Sequence, residues 1–406
     1  MKLQTARKLI RFSAAAMVLM VLGSSTVLAA EGTEKRKGSE TKMNYAYVGC
    51  RTTAKRYAHG KGISVYAIDA KGDWKLQSIA PTLDNPAFLT LDRDRKALYT
   101  VHGDGHQVSA FKIQPDGNLE FLNTVEAQGK NPVYAVPSFN NRFLFVATLQ
   151  GGAVASLPIR EDGSLGEAVS TAHLEGKPGK GVSHAHACVL DRTGKFLLVP
   201  TQARGVGYER VWVFQVDQET GKLDLVSSAD SRTYDEPRHL AFSPDNRRVY
   251  LVNEKGSTLR MFAFDADKGI LTPEQVVTTL PETYVGPNMA SAIVMSQDGR
   301  FVYATNRIHE GIPPEGEDPA YGAFRGQETL VSYEVDKEDG MLKKPQWVSC
   351  EGYTPRFMTL TPDGKELVVA NMDSDTLQFF SVEGNGRPRF TGKTVKTESP
   401  CALVFR

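Results

Sequence analysis

Short apolar strands separated by polar turns recur along most of the chain. One complete unit runs from an extended entry, Glu236 to Phe242, through a tight turn at Ser243 to Asn246. A second strand follows from Arg248 to Asn253 and a third from Leu259 to Phe264, before Lys268-Gly269 turn the chain into a weaker fourth strand. Apolar runs or alternation in the strands, with Gly, Pro, Asn and Asp at the breaks, predict a repeated unit of four antiparallel strands.

One residue just inside the first strand marks each copy of the repeat. These residues are Ala87, Val133, His186, Arg238, Ser291, Arg356 and Cys401. Successive copies are 46, 53, 52, 53, 65 and 45 residues apart. Four-stranded units at such spacings are typical of propeller blades. The last copy holds one strand, Ser399 to Phe405, and the segment from Tyr45 to Ile79 supplies the three strands that it lacks. We therefore predict an all-β, seven-bladed β-propeller closed by pairing of the N- and C-terminal strands in one blade.

Strand order predicts which side chains share one mouth of the channel. The first strand of each blade starts at one face of the ring, and the second strand returns to that same face. The seven first-strand residues that mark the copies should therefore lie beside the ends of the second strands. Those ends are Gly103, Leu149, Gln202, Glu254, Arg307, Met372 and Cys50. Chemically active side chains are concentrated in blades three to six: His186, Gln202, Arg238, Glu254, Arg307 and Arg356. Blades one and two contribute small or apolar residues.

This sector suits an anionic substrate that can be hydrolysed. Arginine binds carboxylate or phosphate in a bidentate manner and stabilises a developing oxyanion. A glutamate or a histidine transfers protons near neutral pH when its surroundings adjust its pKa. The alternative is an Arg–Glu ion-pair network that only fixes the blade ends. His184 and His186 alone are too few ligands for a metal, and we expect His173 and His239 to be structural or exposed.

Several segments resemble the lactonase-type propellers, a family that includes bacterial 6-phosphogluconolactonases and fungal carboxymuconate lactonizing enzymes. They are Ser183-His184-Ala185-His186, Glu236-Pro237-Arg238-His239, Val252-Asn253-Glu254, Ser296 to Arg307, Thr354 to Phe357 and Val368 to Asp375. The resemblance covers residues 43–406. It implies a catalytic set of one histidine of His184-Ala185-His186 with Arg238, Glu254 and Arg307, and no metal; the strand-end positions single out His186. We expect no cofactor, and we expect His184, Gln202 and Arg356 to bind substrate.

The chain departs from the family pattern near this sector. Gln202 stands in a segment where the family often has Asp-Leu-Gly, Glu236 follows Tyr234-Asp235 where a small glycine is usual, and Ile308 replaces a glycine. Because of these changes, the resemblance does not identify the substrate. The long segment from Glu310 to Glu328 lies on the mouth side and is a candidate lid or specificity loop.

The N-terminus predicts export. Lys2, Arg7, Lys8 and Arg11 precede an apolar run that is too short to span a bilayer. We assign residues 1–29 to a signal peptide, 30–42 to a flexible leader and 43–406 to the propeller, in the periplasm or secreted. Without the first 30 residues, 44 basic residues face 47 acidic ones, a balance that disfavours a nucleic-acid partner. No membrane span is expected after cleavage, and the oligomeric state is left open.

Two of the four cysteines, Cys50 and Cys401, occupy adjacent strands of the closing blade. An exported chain permits disulfides, so these two either form a bond that locks the ring or remain free buried thiols.

The functional prediction is an exported lactonase that hydrolyses a sugar lactone, either phosphorylated or, better suited to export, an unphosphorylated aldonolactone. The alternatives are a lactone-forming cycloisomerase and a non-catalytic propeller that binds a protein or a cell-envelope ligand.

Overall fold

The computed structural model describes residues 44–308 and 328–406, whose strands form seven antiparallel sheets arranged as blades. The predicted signal peptide and leader lie outside the described residues, as do residues 310–327 of the candidate lid.

The strands follow the predicted repeat in chain order. The N-terminal strands are β1 (Asn44–Cys50), β2 (Ile63–Ile68) and β3 (Trp74–Ala80). Blade one contains β4 (Pro86–Leu91), β5 (Ala97–His102), β6 (Gln107–Ile113) and β7 (Leu119–Glu126). Blade two contains β8 (Pro132–Pro137), β9 (Phe143–Thr148), β10 (Ala153–Pro158) and β11 (Ser170–His173). In blade three the first strand is split, giving β12 (His184–Ala185), β13 (Val189–Leu190), β14 (Phe196–Gln202), β15 (Arg210–Val216) and β16 (Leu223–Asp230).

The second half of the ring is more regular. Blade four contains β17 (Pro237–Phe242), β18 (Arg248–Asn253), β19 (Thr258–Asp265) and β20 (Ile270–Thr278). Blade five contains β21 (Met289–Met295), β22 (Phe301–Arg307), β23 (Thr329–Val335) and β24 (Leu342–Ser349). Blade six contains β25 (Pro355–Leu360), β26 (Glu366–Asn371), β27 (Thr376–Val382) and β28 (Pro388–Lys396), and the chain ends with β29 (Pro400–Phe405).

The seventh blade closes the ring as predicted. Its strand order is β29-β1-β2-β3, so one C-terminal strand joins three N-terminal strands. Val48 lies opposite Leu403 and Gly49 opposite Ala402. Joining the two chain ends within one sheet removes an unpaired strand edge, which explains why this repeat is divided between the N- and C-termini.

Burial explains why the second strand of each blade reads as a continuous apolar run. Both β5 and β9 are buried along their whole length, whereas the outer strands β7 and β28 consist mostly of exposed and half-buried residues. A second strand is covered on both faces by neighbouring blades, so neither face needs polar side chains. The core is therefore a set of apolar layers between blades.

Buried tyrosines tie neighbouring blades together at the face opposite the mouth. The Tyr47 hydroxyl donates to the Gly117 carbonyl at 2.9 Å, and the Tyr250 hydroxyl donates to the Gly340 carbonyl at 2.8 Å. Gly117 has a φ of 84°, and a Cβ there would lie 2.3 Å from the ring of Tyr45. The Asp-Gly turns of the sequence thus allow each blade to approach the next closely.

Candidate active site

Bulges in the first strands build the mouth of the channel. The pairing of β4, β8, β17 and β25 skips one residue directly after the initial proline, which leaves Ala87, Val133, Arg238 and Arg356 outside the ladder. A bulge of this kind redirects a side chain away from the regular alternation of the strand. All four residues line one pocket. In blade three, His186 reaches the same pocket from the gap between β12 and β13.

The pocket has a volume of about 220 Å³ and is strongly cationic. Its wall includes five arginines among the described residues: Arg51, Arg56, Arg204, Arg238 and Arg356. Among the described residues of the wall, Asp104 supplies the one carboxylate, and it accepts a 2.7 Å hydrogen bond from Arg56 Nε. Ala87, Gly103, Val133 and Leu149 form the neutral side. The arrangement favours a small ligand that carries or develops negative charge.

His186 forms the buried floor of the pocket. Its side chain is 3 % exposed, and Nε2 lies 3.9 Å from Glu254 Oε2. Burial lowers the pKa of His186 well below its ordinary value of 6.5, and the nearby Arg238, His239, Arg204 and Arg356 lower it further. The imidazole is therefore neutral at pH 7 and can accept a proton.

Glu254 lies directly behind His186 in a buried polar cluster. Gln202 Nε2 donates to Glu254 Oε2, and Arg307 Nη2 donates to Glu254 Oε1. Arg307 is fully buried, and neither it nor Glu254 belongs to the pocket wall. Because both carboxylate oxygens accept hydrogen bonds from fixed donors, the charge of Glu254 is held at one place behind the imidazole.

Arg238 connects the floor of the pocket to the buried cluster. Its Nε lies 4.0 Å from Glu254 Oε1, and Nη1 donates to the Ser291 carbonyl and contacts His239 Nδ1 at 3.2 Å. With 2 % of its surface exposed, Arg238 holds a fixed orientation. A guanidinium that is fixed and desolvated in this way is suited to stabilising negative charge on a bound molecule.

The structure sorts the predicted site residues by depth. It places His186, Arg238 and Arg356 on the pocket wall, and Glu254, Arg307 and Gln202 in the buried layer behind it. The expectation that Gln202 binds substrate does not fit its position, because it is 1 % exposed and both ends of its amide are engaged by Glu254 and Arg204. His184 pairs with Gln202 across the sheet and does not line the pocket.

The disulfide is not formed, and both Cys50 and Cys401 are free buried thiols. A register shift after Gly49 places Cys50 opposite Pro400 rather than Cys401. The Cys401 thiol donates to the Gly49 carbonyl at 3.3 Å, whereas the Cys50 thiol lies 3.6 Å from the Val48 carbonyl. The sequence predicted that the two strands are neighbours in the sheet, but it did not reveal this register shift.

The pocket wall also includes residues that were not predicted, among them His239, Arg51 and Arg204. His239 lines the pocket instead of being structural or exposed, because the bulge after Pro237 presents both Arg238 and His239 to the channel. Arg51 and Arg204 come from the loops that follow the second strands of blades seven and three. The predicted set held one position at each strand end, whereas the loops after the second strands also turn inward.

Comparison with known proteins identifies the family. The family model described as lactonase, 7-bladed beta-propeller matches residues 45–405. The chain belongs to this lactonase family. A 6-phosphogluconolactonase of Bacillus subtilis is 27 % identical over 361 residues, covering 86 % of this chain and 96 % of that protein. A 6-phosphogluconolactonase of Klebsiella pneumoniae is 24 % identical over 330 residues, covering 79 % and 88 % of the two chains.

A solved structure, the periplasmic gluconolactonase of Pseudomonas aeruginosa, is similar along almost its whole length. It is 28 % identical, aligns with a TM-score of 0.76, and covers 89 % of this chain and 99 % of its own. The prediction of a lactonase-type enzyme with a seven-bladed propeller is therefore confirmed.

Within residues 44–308 and 328–406, no group of three or more His, Cys, Asp or Glu side chains is arranged to hold a metal ion. In the same part of the chain, no helix has the length and apolarity that a bilayer span requires.

Buried histidines should make the free energy of unfolding depend on pH. Burial lowers the pKa of His102, His184, His186 and His239 in the folded state. Below the ordinary pKa of about 6.5 the unfolded chain binds more protons, so stability is complete above this pH and is lost as pH falls towards the folded-state values. Each such histidine adds a slope of up to about 1.4 kcal/mol per pH unit.

Urea unfolding at a series of pH values from 7.5 to 5.5 measures this slope. The variant His239→Gln should show a smaller slope than the wild type. A free energy of unfolding that stays constant over this range would contradict the prediction.

Proposed function

We propose that this protein is an exported lactonase that hydrolyses a sugar lactone with water as the nucleophile. The observation that carries the proposal is a neutral, pocket-lining imidazole, His186, with the Glu254 carboxylate 3.9 Å behind it. The family membership and the names of the relatives support the reaction class.

His186 acts as the general base. Its lowered pKa leaves the imidazole unprotonated at neutral pH, so it accepts a proton from water as the oxygen bonds to the lactone carbonyl carbon. The ring C–O bond then breaks, and the departing ring oxygen takes the proton back from the imidazolium. The sum is one lactone plus one water giving one hydroxy acid, and His186 is regenerated.

Arg238 and Arg356 stabilise the negative charge that develops on the carbonyl oxygen. Both line the pocket and are largely buried, with 2 % and 8 % of their surfaces exposed. A cation that is already in place in a poorly hydrated site stabilises an oxyanion without reorganisation during the reaction.

Glu254 is a positioning residue in this scheme. Its carboxylate stabilises the imidazolium that forms transiently on His186, since the two groups lie 3.9 Å apart. Gln202 and Arg307 hold the carboxylate in place through their hydrogen bonds to its two oxygens. Arg307 accordingly supports the reaction from behind the pocket wall.

Export favours a lactone that arises outside the cytoplasm. The basic residues and apolar run at the N-terminus support cleavage of a signal peptide, and one structural relative is named as periplasmic. Sugar phosphates are made inside the cell, so an unphosphorylated lactone of the aldonolactone type suits the proposed location.

A rate assay on exported, purified protein tests the proposal. We expect it to accelerate opening of δ-gluconolactone above the spontaneous rate, followed by base consumption in a pH-stat, and N-terminal sequencing should find that the mature chain starts near Ala30. The absence of any acceleration across six- and five-membered sugar lactones would refute the lactonase, and an intact N-terminus would refute the export.

A further inference from the structure

His239 lines the pocket, although the proposed mechanism assigns it no role. It directly follows Arg238 in β17, and the bulge after Pro237 turns it towards the channel. Its side chain is half-buried, whereas those of Arg238 and His186 are almost fully buried. His239 therefore shares the pocket with both of these groups and still meets solvent there.

Two ring contacts hold the imidazole of His239 in one orientation. Its centroid lies 5.3 Å from that of His186, with the ring planes at 66°, and 5.4 Å from that of Tyr134, with the planes at 72°. Edge-to-face packing with two neighbours restrains a ring on both sides. The imidazole of His239 is thus fixed directly beside that of His186.

Arg238 decides which nitrogen of His239 carries the proton. Arg238 Nη1 lies 3.2 Å from His239 Nδ1. A guanidinium stays protonated and has no acceptor atom, so Nδ1 accepts this hydrogen bond and carries no proton. In a neutral imidazole the other nitrogen then holds the N–H. His239 is consequently the Nε2–H tautomer.

The surroundings of His239 keep its imidazole uncharged. Burial lowers the pKa of His239 well below its ordinary value of 6.5, and the positive charges of Arg238, Arg356 and Arg307 lower it further. At pH 7 the side chain is therefore a neutral donor through Nε2. Among the described residues, no hydrogen bond involves Nε2, so this N–H is available to a molecule in the pocket.

The contact with Arg238 also strengthens this donor. Arg238 Nη1 is directed at the Ser291 carbonyl and at His239 Nδ1. Hydrogen bonds in a chain polarise one another, so a cation that donates to Nδ1 makes the Nε2–H more positive. His239 thereby extends the influence of the buried guanidinium into the pocket.

We propose that His239 is a further catalytic residue, which donates a hydrogen bond from Nε2 to the lactone carbonyl oxygen as that oxygen becomes negative. The proposal rests on the proposed function, because the attack of water is placed at His186. Since the two imidazoles are neighbours on the pocket wall, a carbonyl carbon attacked beside His186 has its oxygen within reach of His239. A neutral imidazole is an effective electrophile in such a position. The hydrogen bond strengthens as the oxyanion forms and weakens when the carbonyl is restored, so no proton leaves Nε2.

Substitutions at His239 separate donation to the substrate from support of Arg238. Asparagine places its amide near Nδ1, so it can accept from Arg238 but has no donor at the position of Nε2. Glutamine places its amide near Nε2 and keeps a donor there. We expect kcat for δ-gluconolactone to fall by about 10² to 10³ in His239→Asn, the usual loss for one oxyanion donor, and to stay within about tenfold of wild type in His239→Gln. KM should change little in both variants, because the contact gains its strength in the transition state.

His102→Gln is the matched control for the loss of a buried neutral histidine. His102 lies in blade one, contacts the Ser109 hydroxyl at 2.7 Å through Nε2 and does not line the pocket. This variant should keep the wild-type kcat, and urea unfolding checks that all variants are folded under the assay conditions. The proposal is overturned if His239→Asn is as active as His102→Gln. It is also overturned if His239→Gln loses as much activity as His239→Asn.

Nitrogen NMR tests the tautomer without turnover. In protein labelled with ¹⁵N-histidine, protonated and unprotonated ring nitrogens have well separated chemical shifts, and the signals lost in His239→Gln belong to His239. At pH 7 we expect a protonated Nε2 and an unprotonated Nδ1. Saturation with gluconate, whose carboxylate stands in for the developing oxyanion, should shift the Nε2 signal. A proton on Nδ1 would overturn the proposal.

The two experiments distinguish a failure of this proposal from a failure of the lactonase. If wild type hydrolyses the lactone and His239→Asn matches it, the lactonase stands and the role of His239 is wrong. If wild type gives no acceleration, the lactonase is refuted. In that case a shift of the Nε2 signal by gluconate still supports His239 as the donor in this pocket, and an unchanged signal overturns it.

Discussion

Replacing His186 by asparagine should lower kcat/KM for lactone hydrolysis by about 10² to 10⁴, the usual contribution of a general base. The imidazole lines the pocket floor, and asparagine keeps polarity there but cannot take a proton from water. The measurement is initial rate against lactone concentration, with circular dichroism to check that the fold is retained.

The pH profile and a neighbouring histidine sharpen this test. Because burial and nearby arginines lower the pKa of His186, wild-type kcat/KM should hold as pH falls through 6.5 and decline only in more acidic solution. His184→Asn is the matched control, since His184 lies two residues away but off the pocket wall, and it should retain most of the activity. Equal losses in the two variants would remove His186 as the base.

Replacing Glu254 by alanine should impair both stability and activity. The change takes the carboxylate from Arg307, which is fully buried, and breaking a buried ion pair from one side costs about 3 to 5 kcal/mol. It also removes the negative charge behind His186, so kcat should fall by about 10² or more. Urea unfolding and steady-state kinetics measure the two effects.

A double variant separates these two roles of Glu254. Glu254→Leu combined with Arg307→Leu removes both charges and should recover much of the lost stability, because an apolar replacement of a buried ion pair is often tolerated. Activity should remain low, since the imidazolium on His186 still lacks its carboxylate. Recovery of activity together with stability would show that the pair is structural only.

The number of blades and the closure of the ring could be read from the sequence. A strand must bury its apolar side chains at fixed intervals, and the turns between strands carry recognisable residues, so the spacing from Ala87 to Cys401 counted the blades. The single-strand final copy also predicted that β29 would complete the N-terminal sheet, as it does.

The sequence did not predict whether each site residue lies on the pocket wall or in the buried layer behind it. Glu254 and Arg238 occupy corresponding ends of adjacent strands, yet Arg238 lies on the pocket wall and Glu254 behind it. The difference arises from the bulge after Pro237, which turns Arg238 and His239 towards the channel. Such a bulge depends on how a strand packs against its neighbours, and strand periodicity does not report it.

By itself, the sequence determined the propeller and its closure, because both follow from the order and spacing of strands. Only the tertiary structure decided which charged residues line the pocket, that the two cysteines of the closing blade are not bonded, and that Arg51 and Arg204 join the pocket wall. The physical reason is that these outcomes depend on register shifts and loop directions set by contacts between blades, over distances that local patterns do not encode.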